Sequence, residues 1–169
     1  MAAHGVANPV PPEARAYQGR RAGVVTRTVA SAVDGLVVAA IELIAYLTWA
    51  VLRFMVNPLK FSFPQPPWAV ILPAALVVLV LYLTAAWAVS GRTYGDLLMG
   101  LRVLGPAGHK LRLSGALLRA LACALFPIGL LWCAVNPSNR SVQDVLLRTS
   151  VVYDWRPRAA QNRPRPVIP

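Results

Sequence analysis

Thr28-Val-Ala-Ser-Ala-Val-Asp34-Gly-Leu-Val-Val-Ala-Ala-Ile-Glu42 opens an apolar run that continues to Val56. A helix of about 20 apolar residues spans the ~30 Å hydrocarbon core of a bilayer, so this run is long enough to cross one. It nevertheless carries a carboxylate. An ionised Asp at a helix centre costs about 2.5–3.5 kcal/mol on insertion scales. Asp34 therefore requires a partner, a water-filled cavity or a bound proton. Arg27 lies seven residues earlier. At about 100° per residue, it falls on nearly the same helix face.

Composition agrees with a membrane chain. Of 169 residues, 57% are hydrophobic and only 14% charged, against about 25% charged in an ordinary soluble domain. The length allows one membrane unit and excludes a large additional soluble domain. The net charge is +11. The basic residues flank apolar spans and form no stripe interleaved with aromatics, which argues for anionic lipid headgroups as partners and against nucleic acid. Cys123 and Cys133 lie about 15 Å apart on a straight helix, too far for a disulfide, and read as packing residues. With His4 and His109 as the only histidines, no metal-ligand spacing exists, and neither a metal nor a cofactor is expected.

The spans follow from the apolar runs. Residues 1–19 are polar and proline-bearing and read as disordered, as does the Pro/Arg-rich tail 156–169. The first span covers about Arg27 to Val56, and Arg53 near its far end can snorkel. A proline-broken loop, 57–67, leads to the second span, Trp68 to Ser90, which has no formal charge. The third apolar segment, about Leu117 to Val135, is interrupted at Phe126-Pro127-Ile128-Gly129. Arg and Lys crowd the N-terminal segment, loop 91–114 and the tail, while the first loop has only Lys60. The positive-inside rule thus puts all three basic regions, and the N-terminus, in the cytoplasm. A third full crossing would place the tail outside. The charge pattern favours a bent or re-entrant third element; three full spans are the alternative. Leu101–Leu104 and Lys110–Leu113 flank a Gly-Pro-Ala-Gly turn and predict a small cytoplasmic β-hairpin. Leu97, Leu98 and Leu101 suggest an interfacial helix leading into it. Residues 139–148 suit a surface helix, and Thr149–Tyr153 a strand able to join the hairpin. No internal repeat is visible.

With the segments placed, three charged residues stand out in order: Arg27 at the start of the first span, Asp34 within it, and Asp144 after the last apolar segment. Around them lie Gly91-x-Thr93-x-Gly95, Gly100-Leu-Arg-Val103, Leu118-Arg119, Asn139-Arg140-x-x-x-Asp144 and Thr149-Ser-Val-Val152. Over residues 20–155 this pattern resembles the RDD family of bacterial membrane proteins. The resemblance implies a multi-pass protein of the bacterial cytoplasmic membrane. It also implies either transport of unidentified ligands, with cation–proton exchange suggested for some members, or an accessory part in a larger membrane assembly. The chain departs from the family pattern at Asp96 (often Lys), Gln143 (often His) and Arg148 (often Gly), and the missing His removes a proton relay.

For Asp34 two readings stand: a proton or cation site, or a structural ion pair with an Arg. Seven residues span about 10 Å on a helix, so a direct Arg27–Asp34 contact is strained. Asp144, Arg119 and Arg140 are candidates to bridge the two. Glu42 either extends a polar path or is a protonated or locally paired carboxyl. Gly91 and Gly95 suit tight turns or close packing rather than a phosphate cradle. Ser114, His109 and Asp96 carry no arrangement that points to an enzyme. The expected architecture is all-α: two full transmembrane helices, a bent or re-entrant third element and a cytoplasmic hairpin. The expected role is an accessory or stabilising subunit of a membrane transport complex, in contact with other membrane proteins or its own copies. The alternative is a small oligomeric transporter using Asp34 and Glu42.

Overall fold

A computed structural model describes residues 17–105, 108–130, 132–135 and 141–155. Two long helices dominate it, α1 (Val24–Val56) and α2 (Trp68–Val89). Both pass the length and hydropathy tests for a membrane span, and only 11% of the residues in the most apolar stretch of each are buried. The core helix of a soluble protein would bury that face. Exposed apolar surface on this scale belongs in lipid or against another membrane protein. At about 1.5 Å per residue, α1 is about 50 Å long and overshoots the bilayer core.

Apart from a 3-10 turn, Pro58–Lys60, in the loop between the two helices, the remaining elements gather at the end where α1 begins and α2 finishes. They are α3 (Tyr94–Leu98), β1 (Leu101–Leu104), α4 (Leu113–Leu125), a 3-10 turn (Pro127–Leu130), α5 (Trp132–Val135), α6 (Val142–Leu146) and β2 (Ser150–Tyr153). The core beneath them joins Ala22 and Ala30 to Leu83 and Trp87 of α2, Leu101 and Val103 of β1, Ala116 and Ala120 of α4, and Val151 of β2.

The expected hairpin is not formed. β1 pairs antiparallel with β2 far along the chain, in the register Leu101↔Tyr153 to Leu104↔Ser150. The turn exists, with Gly105 N donating to the His109 carbonyl at 2.8 Å. Beyond it Leu111 enters the core and Leu113 starts α4, so the apolar residues expected to make a strand serve a helix instead. The chain before α1 runs along the other edge of β2: Gly19 N donates to Tyr153 O, Tyr153 N to Arg20 O, and Ala22 N to Val151 O. The polar start is thus held from Tyr17 on, while residues 1–16 and 156–169 lie outside the described residues.

Among the described residues the third apolar segment holds no helix long enough to span a membrane. Helix α4 has 13 residues, about 20 Å, too short to cross a ~30 Å core. Pro127 cannot continue it. The Phe126 carbonyl accepts from Gly129 N at 3.1 Å and from the Gln143 amide at 2.7 Å. Beyond the turn, Asp144 lies against Arg27 at the start of α1.

One regularity escaped the sequence reading. In α3–β1, Thr93 accepts from Asp96 N while Asp96 accepts from Thr93 N, a reciprocal cap. Ser141 and Asp144 do the same for α6. Each five-residue helix ends on a left-handed residue, Gly100 (φ 64°) or Arg148 (φ 51°), before its strand. Thr93, Asp96, Gly100 and Val103 thus correspond to Ser141, Asp144, Arg148 and Val151. Val103 pairs with Val151, so equivalent positions face each other across the ladder, as a local two-fold requires. The repeat rests on backbone and capping chemistry, and few identities mark it.

Arg148 holds a conformation that costs an L-residue about 1–2 kcal/mol and glycine none. Arg148→Gly should therefore raise stability in detergent by roughly 0.5–1 kcal/mol, after allowing for the greater freedom of glycine in the unfolded chain. A thermal melt checks this, and an unchanged or lower midpoint would refute it.

Candidate functional site

Two polar joints fasten α1 to the capped units. The first is centred on Asp144, whose side chain is 1% exposed. Arg27 Nη2 donates to its Oδ2, and Arg119 Nη1, from α4, to its Oδ1 at 2.6 Å. The Thr149 hydroxyl lies 3.2 Å from the same Oδ1 and accepts from Arg119. Burial alone would raise the Asp144 carboxyl, but Arg119 and Arg27 beside it bring it down to about 2. Arg27 also donates from Nη1 to Cys133 Sγ at 2.8 Å, and both cysteines are free thiols. The Arg119 guanidinium lies 5.0 Å from the Trp87 ring centre, a cation–π contact. Trp87 Nε1 in turn donates to Asp96 Oδ2 at 3.1 Å.

The second joint is Asp34. Its Oδ2 accepts from the Thr93 hydroxyl at 2.6 Å, and its Oδ1 from Gly95 N and from the Tyr82 hydroxyl, both at 2.8 Å. Tyr82 is held by Tyr94 N, 2.9 Å from its oxygen. Gly95 permits this approach: a Cβ there would lie 2.1 Å from the Ala30 carbonyl oxygen of α1. Gly91, at the end of α2, instead accepts at its carbonyl from Val103 N at 2.9 Å, closing the outer edge of β1.

The ion pair proposed between Arg27 and Asp34 is therefore not formed. Arg27 turns to Asp144, and among the described residues three neutral donors hold Asp34. Asp144 and Arg119 form the first joint rather than a bridge to the second. Arg140 lies outside the described residues. Glu42 sits farther along α1, half-buried, with Oε1 lacking a partner among the described residues. Trp87, near the end of the second span, reads from the sequence as an interfacial aromatic, whereas its bond to Asp96, the role of Tyr82 and the capping role of Asp96 were not foreseen. The Thr-x-x-Asp spacing of Thr93 and Asp96 was the signal available for the last.

Between the joints lies a cavity of about 270 Å³, walled by Arg27, Asp34, Asp96, Arg119 and Gln143 with apolar Leu83. Among the described residues the buried Nε atoms of both guanidinium groups and Gln143 Oε1 have no hydrogen-bond partner. The cavity has room for several waters, each taking about 30 Å³, and its wall supplies polar groups for them. Glu42 does not line it. No group of three or more His, Cys, Asp or Glu suited to a metal occurs among the described residues.

Two substitutions probe the joints. Asp144→Asn leaves two guanidinium groups against a neutral amide, and breaking a buried pair in this way costs about 3–5 kcal/mol. The folded carboxyl titrates below its unfolded value of about 3.9, so its contribution is complete above about pH 4 and disappears as pH falls toward about 2. Wild-type melts should show an acid decline in that window, and Asp144→Asn should reduce it. Gly95→Ala must push α3 off α1, at a cost of about 1–3 kcal/mol or more. Gly115→Ala is the control, because a Cβ there meets only Leu111 Cδ2 at 4.0 Å. Equal melting points for the two alanine variants would contradict the close α1–α3 approach.

Comparison with curated proteins and with solved structures found no match. The RDD family model matches residues 21–148, a stretch that includes both joints, both capped helices and β1. The Arg and the two Asp residues whose order suggested the family are those that tie α1 to the repeated units. By that match, and by its two candidate membrane-spanning helices, this chain is a membrane protein that belongs to the RDD family.

Proposed function

We propose that the chain is an accessory subunit that packs against the transmembrane helices of a larger membrane transport complex. One observation carries this reading: the charges near the membrane boundary are satisfied within the chain, whereas the apolar faces of both spans are left exposed. A pathway needs walls, and two helices with so little mutual burial enclose none. A surface of this kind gains by covering itself with neighbouring helices. The sheet end, with Arg20, Arg21, Arg92, Arg102, Lys110 and Arg112 against Arg53 and Lys60 at the other, is placed in the cytoplasm by the positive-inside rule. Under the family pattern the membrane is a bacterial cytoplasmic one.

The cavity supports a second reading, a small oligomeric transporter. It brings Asp34 and Asp96 to one cavity, and an oligomer could extend that space toward Glu42.

Reconstitution separates the two. The full chain alone in liposomes is expected to pass neither protons nor monovalent cations, and gentle extraction is expected to recover it with a stable membrane partner. Flux from the chain alone that Glu42→Gln abolishes, with the melting point unchanged, would overturn the accessory reading. A cysteine introduced at Arg112 should react only from the cytoplasmic side and one at Leu59 only from the other. Reversed labelling would invert the orientation.

A further inference from the structure

The end of the molecule remote from the joints carries two cations with no counter-charge. Arg53 and Lys60 are the only charged residues between Glu42 and Arg92, and neither has an ion-pair partner among the described residues. They belong to different elements, the last turn of α1 and the 3-10 turn Pro58–Lys60. Nevertheless they line one open cleft of about 460 Å³ with Asn57, Ser62, Trp49 and Phe61.

The cleft is built rather than incidental. The Asn57 side chain caps the turn by accepting from Lys60 N at 3.3 Å. Phe61 is wedged edge-on between Phe54, at 5.4 Å, and Phe63, at 5.1 Å. The Tyr46 hydroxyl donates to the Pro64 carbonyl at 3.0 Å and ties the loop back to α1. Arg53 is steadied against the Trp49 ring, 5.9 Å from its centre. Snorkelling of a lone Arg would need none of this.

Because α1 ends and α2 begins here, a membrane crossed by both helices would bring the headgroups of one leaflet near the cleft. Its polar wall offers two cations, an amide and a hydroxyl. Its margin continues into exposed apolar residues of α1, Leu52 and Val56. We propose that this cleft binds an anionic glycerophospholipid from that leaflet, with the phosphodiester between Arg53 and Lys60 and an acyl chain along Leu52 and Val56. Guanidinium and ammonium groups supply charge-assisted hydrogen bonds to phosphate oxygens. The absence of an acidic residue favours a net-negative headgroup over a zwitterionic one.

The test uses the full chain purified in detergent and exposed to phosphatidylglycerol or phosphatidylcholine, with bound lipid counted by native mass spectrometry. Wild type is expected to retain phosphatidylglycerol over phosphatidylcholine by at least fivefold. Arg53→Gln/Lys60→Gln should abolish that preference with the melting point intact, and Arg112→Gln, at the opposite end, should leave it. Equal retention by the double variant, or no headgroup preference in the wild type, would overturn the proposal. Displacement by millimolar inorganic phosphate would do so as well, since it would make the cleft a site for the free anion. A double variant that melts lower is replaced by Arg53→Lys/Lys60→Arg, which keeps both charges and should keep the preference.

Discussion

The carboxylate of Asp144, held between Arg27 and Arg119, is the interaction on which the rest of this structure depends. It joins the start of the first span, the middle of α4 and the cap of α6, three stretches that nothing local would bring together. Removing such charges from water is expensive, and an apolar cluster of the same volume would hold the chain at less cost. What an apolar cluster lacks is direction. Two guanidinium groups on one carboxylate fix where α6 sits and how it is turned. That in turn fixes where β2 can meet β1. Gln143, the neighbour of the residue that makes the ion triad, donates to the Phe126 carbonyl just before Pro127.

Much of the membrane architecture was legible in the sequence because it depends on composition. The two apolar helices and the break at Pro127 follow from hydropathy and proline chemistry. The strand at Thr149–Tyr153 and its ability to join Leu101–Leu104 were legible, but the fate of the expected second arm of the hairpin was not. The residues after the Gly-Pro-Ala-Gly turn have strand-like alternation yet are taken by α4, and only tertiary packing decides between the two. The site was legible as a set of residues and not as a set of pairs. Helical periodicity placed Arg27 and Asp34 on one face, which is true of α1 and says nothing of what approaches that face. Asp34 is held by a hydroxyl, a phenol and a backbone N–H. No charge search finds such donors, and one of them depends on Gly95 having no side chain.

The repeat explains why the charged residues of the pattern take the form they do. Both capped units dock on α1, but with opposite polarity. The unit containing Thr93 offers donors and receives the carboxylate of Asp34. The unit containing Ser141 offers the carboxylate of Asp144 and receives the guanidinium of Arg27. A helix carrying an Arg and then an Asp, about 10 Å apart, is thereby latched at two heights by two copies of one motif. Asp96, the counterpart of Asp144, is the exception that fits. Among the described residues it binds no guanidinium and accepts from Trp87, whose ring in turn faces Arg119, so the indole links Asp96 to the ion triad.

This latching divides α1 into unequal parts. From Arg27 to Val38 the helix is gripped, with Arg27, Ala30, Asp34 and Val38 buried at helical spacing. Beyond that only Ala50 is buried. The free portion still has to be covered in the membrane, and the chain offers little to cover it beyond α2 and the loop that Tyr46 ties down. Rigid attachment at one end and an unclaimed apolar face at the other suit a helix whose tilt is set by its own capped units and read out by what lies beside it. Glu42 stands where the gripped portion gives way to the free one, with a buried oxygen lacking a partner among the described residues. An orphan acceptor in that position is costly in lipid. It is relieved most directly by a donor from a neighbouring helix, so the accessory reading supplies the partner that the isolated chain leaves out.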